Sequence, residues 1–377
     1  MAVTSLSLRQ PEKRAQLTFQ VGVVFCFTMV IGACSKSPTP YSWNLPHNIP
    51  PPPVPADNPL TEESIMLGEK LFFDKGLSAN NTISCSSCHD PEHAFAEPKT
   101  VSVGANGDAL NRNALALVNV AYNASFTWAH NNLESIEKQL MIPLFNEHPV
   151  EMGVTGNEKR ILKRFEGSEY RALFEAAYGD DTPNLNNIVK ALASYVRSLV
   201  SFNSAFDNYA YSQDDDALTA QQLEGLNLFF SERTECFHCH GGLNFTQSSK
   251  HSFQPFAAQP FHNTGLYNED GKGSYPESDM GLYSVTHNKQ DMGKFRAPTL
   301  RNIALTAPYM HDGSIATLDE VIEFYARGGN LAESPNPYRS PFIKGFAISE
   351  DEKAALVAFL RSLTDEQFVK THTTRKN

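Results

Sequence analysis

Two short cysteine motifs constrain the fold of this chain more than any other feature of its sequence. The motifs are Cys85-Ser-Ser-Cys88-His89 and Cys236-Phe-His-Cys239-His240. On one helical turn, thiols at positions i and i+3 can each bond to one vinyl group of a haem, and the next imidazole then lies under the iron. The pattern predicts two covalent c-type haems, with His89 and His240 as iron ligands. A disulfide framework or a four-cysteine zinc site would use the same cysteines, but neither explains a histidine directly after each pair.

The segments around the two motifs form an internal repeat. The motifs are preceded by Gly68-Glu-Lys-Leu71-Phe72-Phe73 and by Gly225-Leu-Asn-Leu228-Phe229-Phe230. They are followed at a distance by Ala191-Leu-Ala-Ser-Tyr195-Val-Arg197-Ser-Leu199 and by Ala355-Leu-Val-Ala-Phe359-Leu-Arg361-Ser-Leu363. Each half of the chain therefore predicts the order helix, haem motif, long insert, helix.

Local signals in the second half support helices on both sides of its insert. Thr219-x-x-Gln222 and Ser349-x-x-Glu352 have the spacing of capping boxes, which begin helices. An apolar stripe at helical spacing follows the second box, at Leu356, Phe359, Leu360 and Leu363.

We therefore predict an all-α fold of two cytochrome c-like domains with long loop-rich inserts. The first domain is predicted at 60–213 and the second at 214–377, with the break beside a polar run at 214–216. Inserts such as 241–295 are rich in Gly, Asn, Pro and Ser, and we expect them to be loops without secondary structure of their own.

The N-terminal segment has the pattern of an export signal. Basic residues precede a short apolar run at 21–33, and Cys34 follows that run directly. A run of that length makes about 20 Å of helix, which is too short for about 30 Å of hydrocarbon. We expect a lipoprotein signal peptide at 1–33 with a lipid on Cys34, the alternative being plain secretion with Cys34 incidental. The protein would then lie in the periplasm, anchored by lipid alone to the outer membrane or cell surface rather than the inner membrane.

Proline content predicts a spacer, and net charge limits the classes of partner. Residues 35–59 contain nine prolines, so 34–59 is predicted to be a semi-extended linker that holds the folded part away from the membrane. The 377 residues are enough for two ordinary domains. A net charge of −11 argues against a nucleic-acid partner and is compatible with a basic or neutral protein partner.

An ordered set of further motifs resembles the bacterial dihaem cytochrome c peroxidase superfamily, and within it the MauG-type and MbnH-like enzymes. The resemblance covers the chain from Leu60 to about Thr364. Its motifs are Arg112-Asn113, Phe126-Thr-Trp128, Leu133 to Gln139, Pro143-Leu-Phe145, Pro149-Val-Glu151-Met-Gly153, Phe295-Arg-Ala-Pro-Thr-Leu-Arg-Asn302, Ala307-Pro-Tyr-Met-His-Asp-Gly313 and Phe324-Tyr-Ala-Arg-Gly-Gly329.

For the first haem, the resemblance implies a distal acid–base residue at Glu151, with Gln139 beside it. The apolar neighbours of Glu151 in sequence would raise the pKa of its carboxyl group. An exposed loop carboxylate is the alternative. Related peroxidases have a distal histidine shortly before the Arg-Asn pair, whereas this chain has Gly104-Ala-Asn-Gly-Asp-Ala109 there. We therefore expect the first haem to keep an open coordination position, as in MauG-type enzymes.

For the second haem, the resemblance implies an axial ligand at Tyr325, where peroxidases have Met. A structural helix tyrosine bonded to a carbonyl is the alternative. The resemblance also places Trp128 between the haems as a path for electron transfer, the alternative being an ordinary core tryptophan. It further implies a calcium ion between the domains at Asn113, Thr306 and Pro308, which would supply oxygen ligands.

The functional prediction is a peroxide-dependent oxidoreductase of the MauG and MbnH type. It would use hydrogen peroxide to oxidise a residue, expected to be Trp, on a partner protein such as a copper-binding MbnP-like protein. One alternative is a cytochrome c peroxidase that reduces hydrogen peroxide with a small donor, either a cytochrome or a cupredoxin. Another is a dihaem electron carrier without catalysis.

Overall fold

The computed structural model describes residues 37–257, 261–330 and 336–375, and their regular secondary structure is mainly helical. The predicted signal peptide and Cys34 lie outside the described residues. The helices are α1 (Glu62–Phe73), α2 (Ile136–Phe145), α3 (Glu158–Leu162), α4 (Ser168–Tyr178), α5 (Leu185–Ser198), α6 (Ala205–Tyr211), α7 (Ala220–Phe229), α8 (Phe237–His240), α9 (Tyr283–Thr286), α10 (Leu318–Ala326), α11 (Glu350–Ser362) and α12 (Glu366–Arg375). In these ranges, none is long and apolar enough to cross a membrane.

Capping boxes begin the two helices that bracket the second insert. Thr219 accepts a hydrogen bond from the backbone of Gln222, and the Gln222 side chain accepts one in return from the backbone of Thr219. Ser349 and Glu352 form the same pair at the start of α11. Both boxes confirm the sequence prediction, because each satisfies backbone N–H groups that a helix start leaves without partners.

The repeated glycines mark two close helix crossings. α1 packs against α5, and α7 packs against α11. A Cβ atom on Gly68 would lie 2.0 Å from the carbonyl oxygen of Ala191, and one on Gly225 would lie 2.0 Å from that of Ala355. Only glycine permits backbones to approach this closely, so the repeat in sequence is a repeat in packing.

Two apolar cores accompany the two helix pairs. The first is built around α1, α4 and α5 and includes Leu67, Leu71, Phe72, Phe174, Leu192 and Tyr195. The second is built around α7, α10 and α11 and includes Phe229, Phe245, Ile322, Leu356 and Phe359. Phe368 of α12 packs into the first core, so the C-terminal helix crosses back to the first half of the chain. The boundary between domains at 213 and 214 stays a prediction.

The insert 241–295 contains more regular structure than we expected. Strand β1 (Phe261–Asn263) pairs antiparallel with β2 (Lys294–Arg296), whose last residue lies just past the insert. The short helix α9 lies between them in sequence. The expectation of an insert without secondary structure is therefore wrong at these positions, because pairing over three residues gives too short a pattern to recognise in sequence.

The described part of the proline-rich segment packs onto the folded body and does not stand free. Ile49 is buried against Tyr122 and Phe202, and the Tyr122 hydroxyl donates to the carbonyl of Pro50 over 2.8 Å. The side-chain amide of Asn58 donates to Glu137 and to the carbonyl of Lys190. The expectation of a spacer is therefore wrong for residues 49–58, because apolar burial and hydrogen bonds to distant segments attach this stretch to the folded body.

Candidate active site

One large cavity opens beside the first cysteine motif. We call it the first cavity, and its wall includes Cys85, Cys88 and His89. Its empty space, open mouth included, is about 1970 Å³, and most of its wall is apolar. Gln139 and Glu151 line the same space. The structure thus brings together the residues that were predicted for the first haem.

The imidazole of His89 has the orientation that an iron ligand needs. Its Nδ1 lies 2.9 Å from the carbonyl oxygen of Phe95. Because a carbonyl only accepts, this bond places the ring proton on Nδ1 and leaves the Nε2 lone pair available to a metal. Burial lowers the pKa of His89, which keeps the imidazole neutral.

The predicted acid–base pair lies within the first cavity. Burial raises the pKa of Glu151 to about 7, so the carboxyl group can both accept and release a proton near neutral pH. The Oε1 atom of Gln139 is buried and has no hydrogen-bond partner among the described residues. An unsatisfied acceptor on a cavity wall is suited to a bound molecule that supplies the donor.

A loop without histidine lies against the backbone around Glu151. A Cβ atom on Gly104 would lie 1.8 Å from the carbonyl oxygen of Val150. The backbone N–H of Ala105 donates to the carbonyl of Glu151 over 2.7 Å. The backbone N–H of Val150 donates to the Asp108 carboxylate over 3.3 Å. These contacts fix the loop 104–109, which presents no imidazole to the first cavity.

A second cavity opens beside the second cysteine motif. We call it the second cavity, and its wall includes Cys236, Cys239, His240 and Tyr325. Its empty space, open mouth included, is about 1780 Å³. The Nδ1 of His240 lies 3.2 Å from the carbonyl of Phe245 and 3.1 Å from that of Pro298. The ring is therefore held in the same tautomer as His89, and burial lowers its pKa to about 4.

Tyr325 lies near the end of α10, where its phenol borders the second cavity. Burial raises the pKa of this phenol above its usual value. In the part of the chain that the structure describes, its hydroxyl donates to no carbonyl, although a purely structural tyrosine would be expected to do so. The position is compatible with a ligand of a group bound in this cavity, and the ligand role of Tyr325 stays a prediction.

Trp128 forms part of the wall of both cavities. Its indole N–H donates to the carbonyl of Asn113 over 2.8 Å, and its own carbonyl accepts from the backbone N–H of Arg296 over 2.7 Å. The side chain is buried and held from two directions. A fixed aromatic ring between two cofactor sites is the arrangement expected of an electron-transfer relay.

The predicted calcium ligands border a common cavity. Asn113, Thr306 and Pro308 all line the second cavity. The side-chain N–H of Asn113 donates to the carbonyl of Lys99 over 2.8 Å, so its side-chain oxygen is the atom left for a cation. Calcium itself stays a prediction.

Both cavities fit a covalently attached haem. The cysteines of each motif are unpaired thiols that border their own cavity, which excludes a disulfide framework and a shared four-cysteine zinc site. Burial raises the pKa of Cys88 and that of Cys236 to about 11. In each cavity, the fit therefore rests on two thiols, one free imidazole nitrogen and a largely apolar wall.

Two residues at these cavities were not singled out from the sequence. Arg296 lines both cavities, is buried, and has no carboxylate partner among the described residues. Burial lowers its pKa to about 10, and a haem propionate would supply the missing counter-charge. His148 lines the first cavity and stands three residues before Glu151. Arg296 belongs to a motif already noted and His148 directly precedes one, but sequence alone gives no sign that they face a cavity.

Comparison with known proteins agrees with this geometry. The family model for di-haem cytochrome c peroxidase matches residues 62–216. The chain is 34% identical over 345 residues to the cytochrome-c peroxidase IdrP1 of Denitromonas iodatirespirans, covering 84% of this chain and 85% of the relative. It is 32% identical over 313 residues to the methylamine utilization protein MauG of Methylophilus methylotrophus, covering 82% and 85%.

The chain belongs to the dihaem cytochrome c peroxidase and MauG family. It is therefore a dihaem oxidoreductase, and its two cofactors are c-type haems. The alternative of a carrier without catalysis is not supported, because the named relatives are peroxidases and MauG enzymes.

Solved structures extend the comparison to the whole fold. A MauG-like protein associated with microbial copper homeostasis has a TM-score of 0.84 and 43% identity, covering 87% of this chain and 97% of that one. The diheme peroxidase BthA from Burkholderia thailandensis has a TM-score of 0.65 at 23% identity, which supports the fold alone. The helix-rich fold of a dihaem peroxidase is thus confirmed.

Proposed function

We propose that this family member uses hydrogen peroxide to oxidise a residue, expected to be tryptophan, on a partner protein. The observation that supports this most is that two cavities share part of their wall but are lined by different reactive side chains. The acid–base residue Glu151 borders the first cavity, Tyr325 borders the second, and Trp128 borders both. Peroxide can then react at one cavity while the partner is oxidised beside the other.

Glu151 is proposed to move the proton of peroxide in the first cavity. The haems, when bound, supply redox-active iron that receives the oxidising equivalents of peroxide. The carboxylate of Glu151 takes the proton from one peroxide oxygen and returns it to the other, which leaves as water. Gln139 positions the peroxide, because its free Oε1 can accept a hydrogen bond from it.

Tyr325 is proposed to bind the iron of the second haem through its phenolic oxygen. An anionic oxygen ligand favours a more oxidised metal than the thioether of Met does. Trp128 would pass electrons between the two sites, so the partner need never reach the first cavity. This explains how a whole protein can be a substrate.

The partner and the location are part of the proposal. One similar structure is described as associated with copper homeostasis, which supports a copper-binding, MbnP-like partner. The segment before residue 37 would anchor the protein in the periplasm through a lipid on Cys34. In that case Cys34→Ala releases the protein from the membrane fraction or blocks processing. An unmodified Cys34 in the mature protein, detected by mass spectrometry, would contradict the anchor.

The function is tested by the substitution Tyr325→Met in the dihaem protein. We expect peroxide-driven oxidation of the partner, measured by mass spectrometry of its tryptophans, to be abolished. Haem attachment, measured by the mass of the protein, should be intact, and the reduction potential of the second haem should rise. Tyr309→Phe is a matched control, since Tyr309 borders the same cavity but its hydroxyl donates to the carbonyl of Ile303. Partner oxidation at the parental rate in Tyr325→Met would refute the proposal.

The second candidate is a cytochrome c peroxidase with a small donor, and two similar relatives have that name. It predicts rapid turnover of peroxide with a reduced cytochrome or cupredoxin. Fast turnover with such a donor, together with no oxidation of any partner protein, would favour this candidate.

A further inference from the structure

A tyrosine outside both predicted haem sites forms a short hydrogen bond with a carboxylate. The hydroxyl of Tyr267 donates to Oδ2 of Asp312 over 2.5 Å. The other oxygen of Asp312 accepts from the backbone N–H of Ser314 over 3.0 Å, which fixes the carboxylate in place. Nothing in the proposed chemistry of Glu151, Trp128 or Tyr325 uses this pair.

The ring of Tyr267 touches the aromatic wall of the second cavity. Its centroid lies 6.2 Å from that of His311 and 5.5 Å from that of Tyr275. His311 stacks on Phe295 with centroids 3.7 Å apart, and both line the second cavity. Phe295 packs in one cluster with Trp128. A continuous series of rings therefore joins Tyr267 to the wall between the cavities.

Tyr267 is also partly exposed to solvent. Tyr267 is half-buried, and the two acidic residues that follow closely, Glu269 and Asp270, are exposed. Tyr275, by contrast, is fully buried, and its hydroxyl donates to the amide oxygen of Asn263 over 3.0 Å. Among these aromatic residues, Tyr267 combines access to solvent with a carboxylate that can receive its proton.

A carboxylate partner changes what a phenol can do. Loss of one electron makes a phenol strongly acidic, and a buried cation without a partner is costly. Asp312 can take the proton at the moment the electron leaves, so the ring becomes a neutral radical. Burial and the bond to Asp312 raise the pKa of Tyr267, so the phenol holds its proton until it is oxidised.

We propose that Tyr267, with Asp312 as its proton acceptor, is the residue through which electrons from the partner protein enter this enzyme. The inference rests on the proposed function and names the residue at which the enzyme oxidises its partner. The partner residue to be oxidised would dock beside the surface loop 268–273.

The electrons and protons balance over one turnover. Hydrogen peroxide takes up two electrons and two protons and becomes two molecules of water. In each of two steps, Tyr267 gives one electron toward the second cavity and its phenolic proton to Asp312. The Tyr267 radical then takes one electron from the partner residue and recovers its proton from Asp312. The partner thus loses two electrons and releases two protons to solvent, which match the two protons that peroxide takes up, and the Tyr267–Asp312 pair is unchanged.

The test uses the dihaem protein with Tyr267→Phe, which keeps the ring and removes the hydroxyl, and with Asp312→Asn, which keeps the shape and removes the proton acceptor. We expect partner oxidation to fall by about 10² or more in Tyr267→Phe, because the phenylalanine ring cannot be oxidised in place of the phenol. In Asp312→Asn we expect a fall of about 10², the usual loss of a general base. The initial reaction with peroxide should be unchanged in both. Tyr283→Phe is the control, since Tyr283 is half-buried in the same insert and has no carboxylate partner among the described residues.

A second readout does not depend on activity. Without partner, peroxide should produce a tyrosyl radical, detected by electron paramagnetic resonance and assigned to Tyr267 by spin trapping and peptide mapping. The radical should persist in Tyr283→Phe and vanish in Tyr267→Phe. A radical at Tyr267 without oxidation of any partner would support the route and contradict the proposed function. Parental partner oxidation and an unchanged radical in Tyr267→Phe would contradict the route and leave the proposed function standing.

Discussion

The two haem cavities are built on the same scaffold. In each half, a glycine permits a close crossing of two helices, at Gly68 and at Gly225. In each half, a backbone carbonyl of phenylalanine holds Nδ1 of the haem-binding histidine. Asn119 and Asn302 have φ near 60° and donate through their backbone N–H groups to the carbonyls of Leu199 and Leu363.

The cavities differ in the reactive side chains that line them. The first has the carboxyl group of Glu151, with its raised pKa, and the free oxygen of Gln139. The second has the phenol of Tyr325 on α10. The helix crossings and the histidine contacts repeat between the two halves, whereas the segments between them differ. This is the pattern expected if the repeated parts hold a haem and the differing parts determine the proposed chemistry of each iron.

The largest expected effect concerns the proton shuttle of the first cavity. We expect Glu151→Gln to leave both haems attached and to slow the reaction with peroxide by about 10² or more, the usual loss of a general acid–base. Stopped-flow absorption after mixing with peroxide measures this rate. Glu147→Gln is the control, because Glu147 is exposed and lies four residues earlier in the chain. Equal rates in Glu151→Gln and the control would show that Glu151 is not the acid–base residue. The proposed chemical difference between the two cavities would then be wrong.

The pH dependence of the reaction with peroxide also tests the role of Glu151. Burial raises the pKa of Glu151 to about 7, so the carboxylate that takes the proton is depleted below that pH. We expect the rate of reaction with peroxide to fall about tenfold per pH unit below 7 and to level off above it. In Glu151→Gln this slope should disappear. A parental rate that stays constant from about pH 5 to about pH 8 would contradict the assignment.

A smaller effect tests the shared scaffold. We expect Gly68→Ala and Gly225→Ala to lower the free energy of unfolding by similar amounts, about 1–3 kcal/mol or more, because each new methyl group meets a backbone oxygen. Gly167→Ala is the control, since no heavy atom lies within 4 Å of its added Cβ. Denaturant unfolding of the dihaem proteins measures the differences. Loss of stability at only one of the two crossings would show that the repeat in packing is not equivalent.

Sequence reasoning predicted the features that depend on local pattern. The capping boxes at Thr219 and Ser349 begin helices where expected, and both cysteine motifs border cavities. The apolar neighbours of Glu151 indicated the direction of its pKa shift. In each case, the signal that supported the prediction lies in residues close in sequence.

Features that depend on contacts between distant segments could not be predicted. The packing of Ile49 on Tyr122 and the return of Phe368 to the first core join parts of the chain far apart in sequence. The strand pair β1–β2 involves only three residues on each side, too few for a clear alternation. Arg296 and His148 face cavities whose shape depends on the whole fold.

The central claim is that a common scaffold holds two haems of which only the first is open. Electron paramagnetic resonance of the fully oxidised protein, before any reduction, tests it most directly. We predict one high-spin ferric signal from the first haem and one low-spin ferric signal from the second. Tyr325→Phe should change only the low-spin signal, and His148→Ala should change neither. Two low-spin signals in the parent would contradict the claim, and restoration of a high-spin signal by His148→Ala would identify His148 as the ligand that closes the first site.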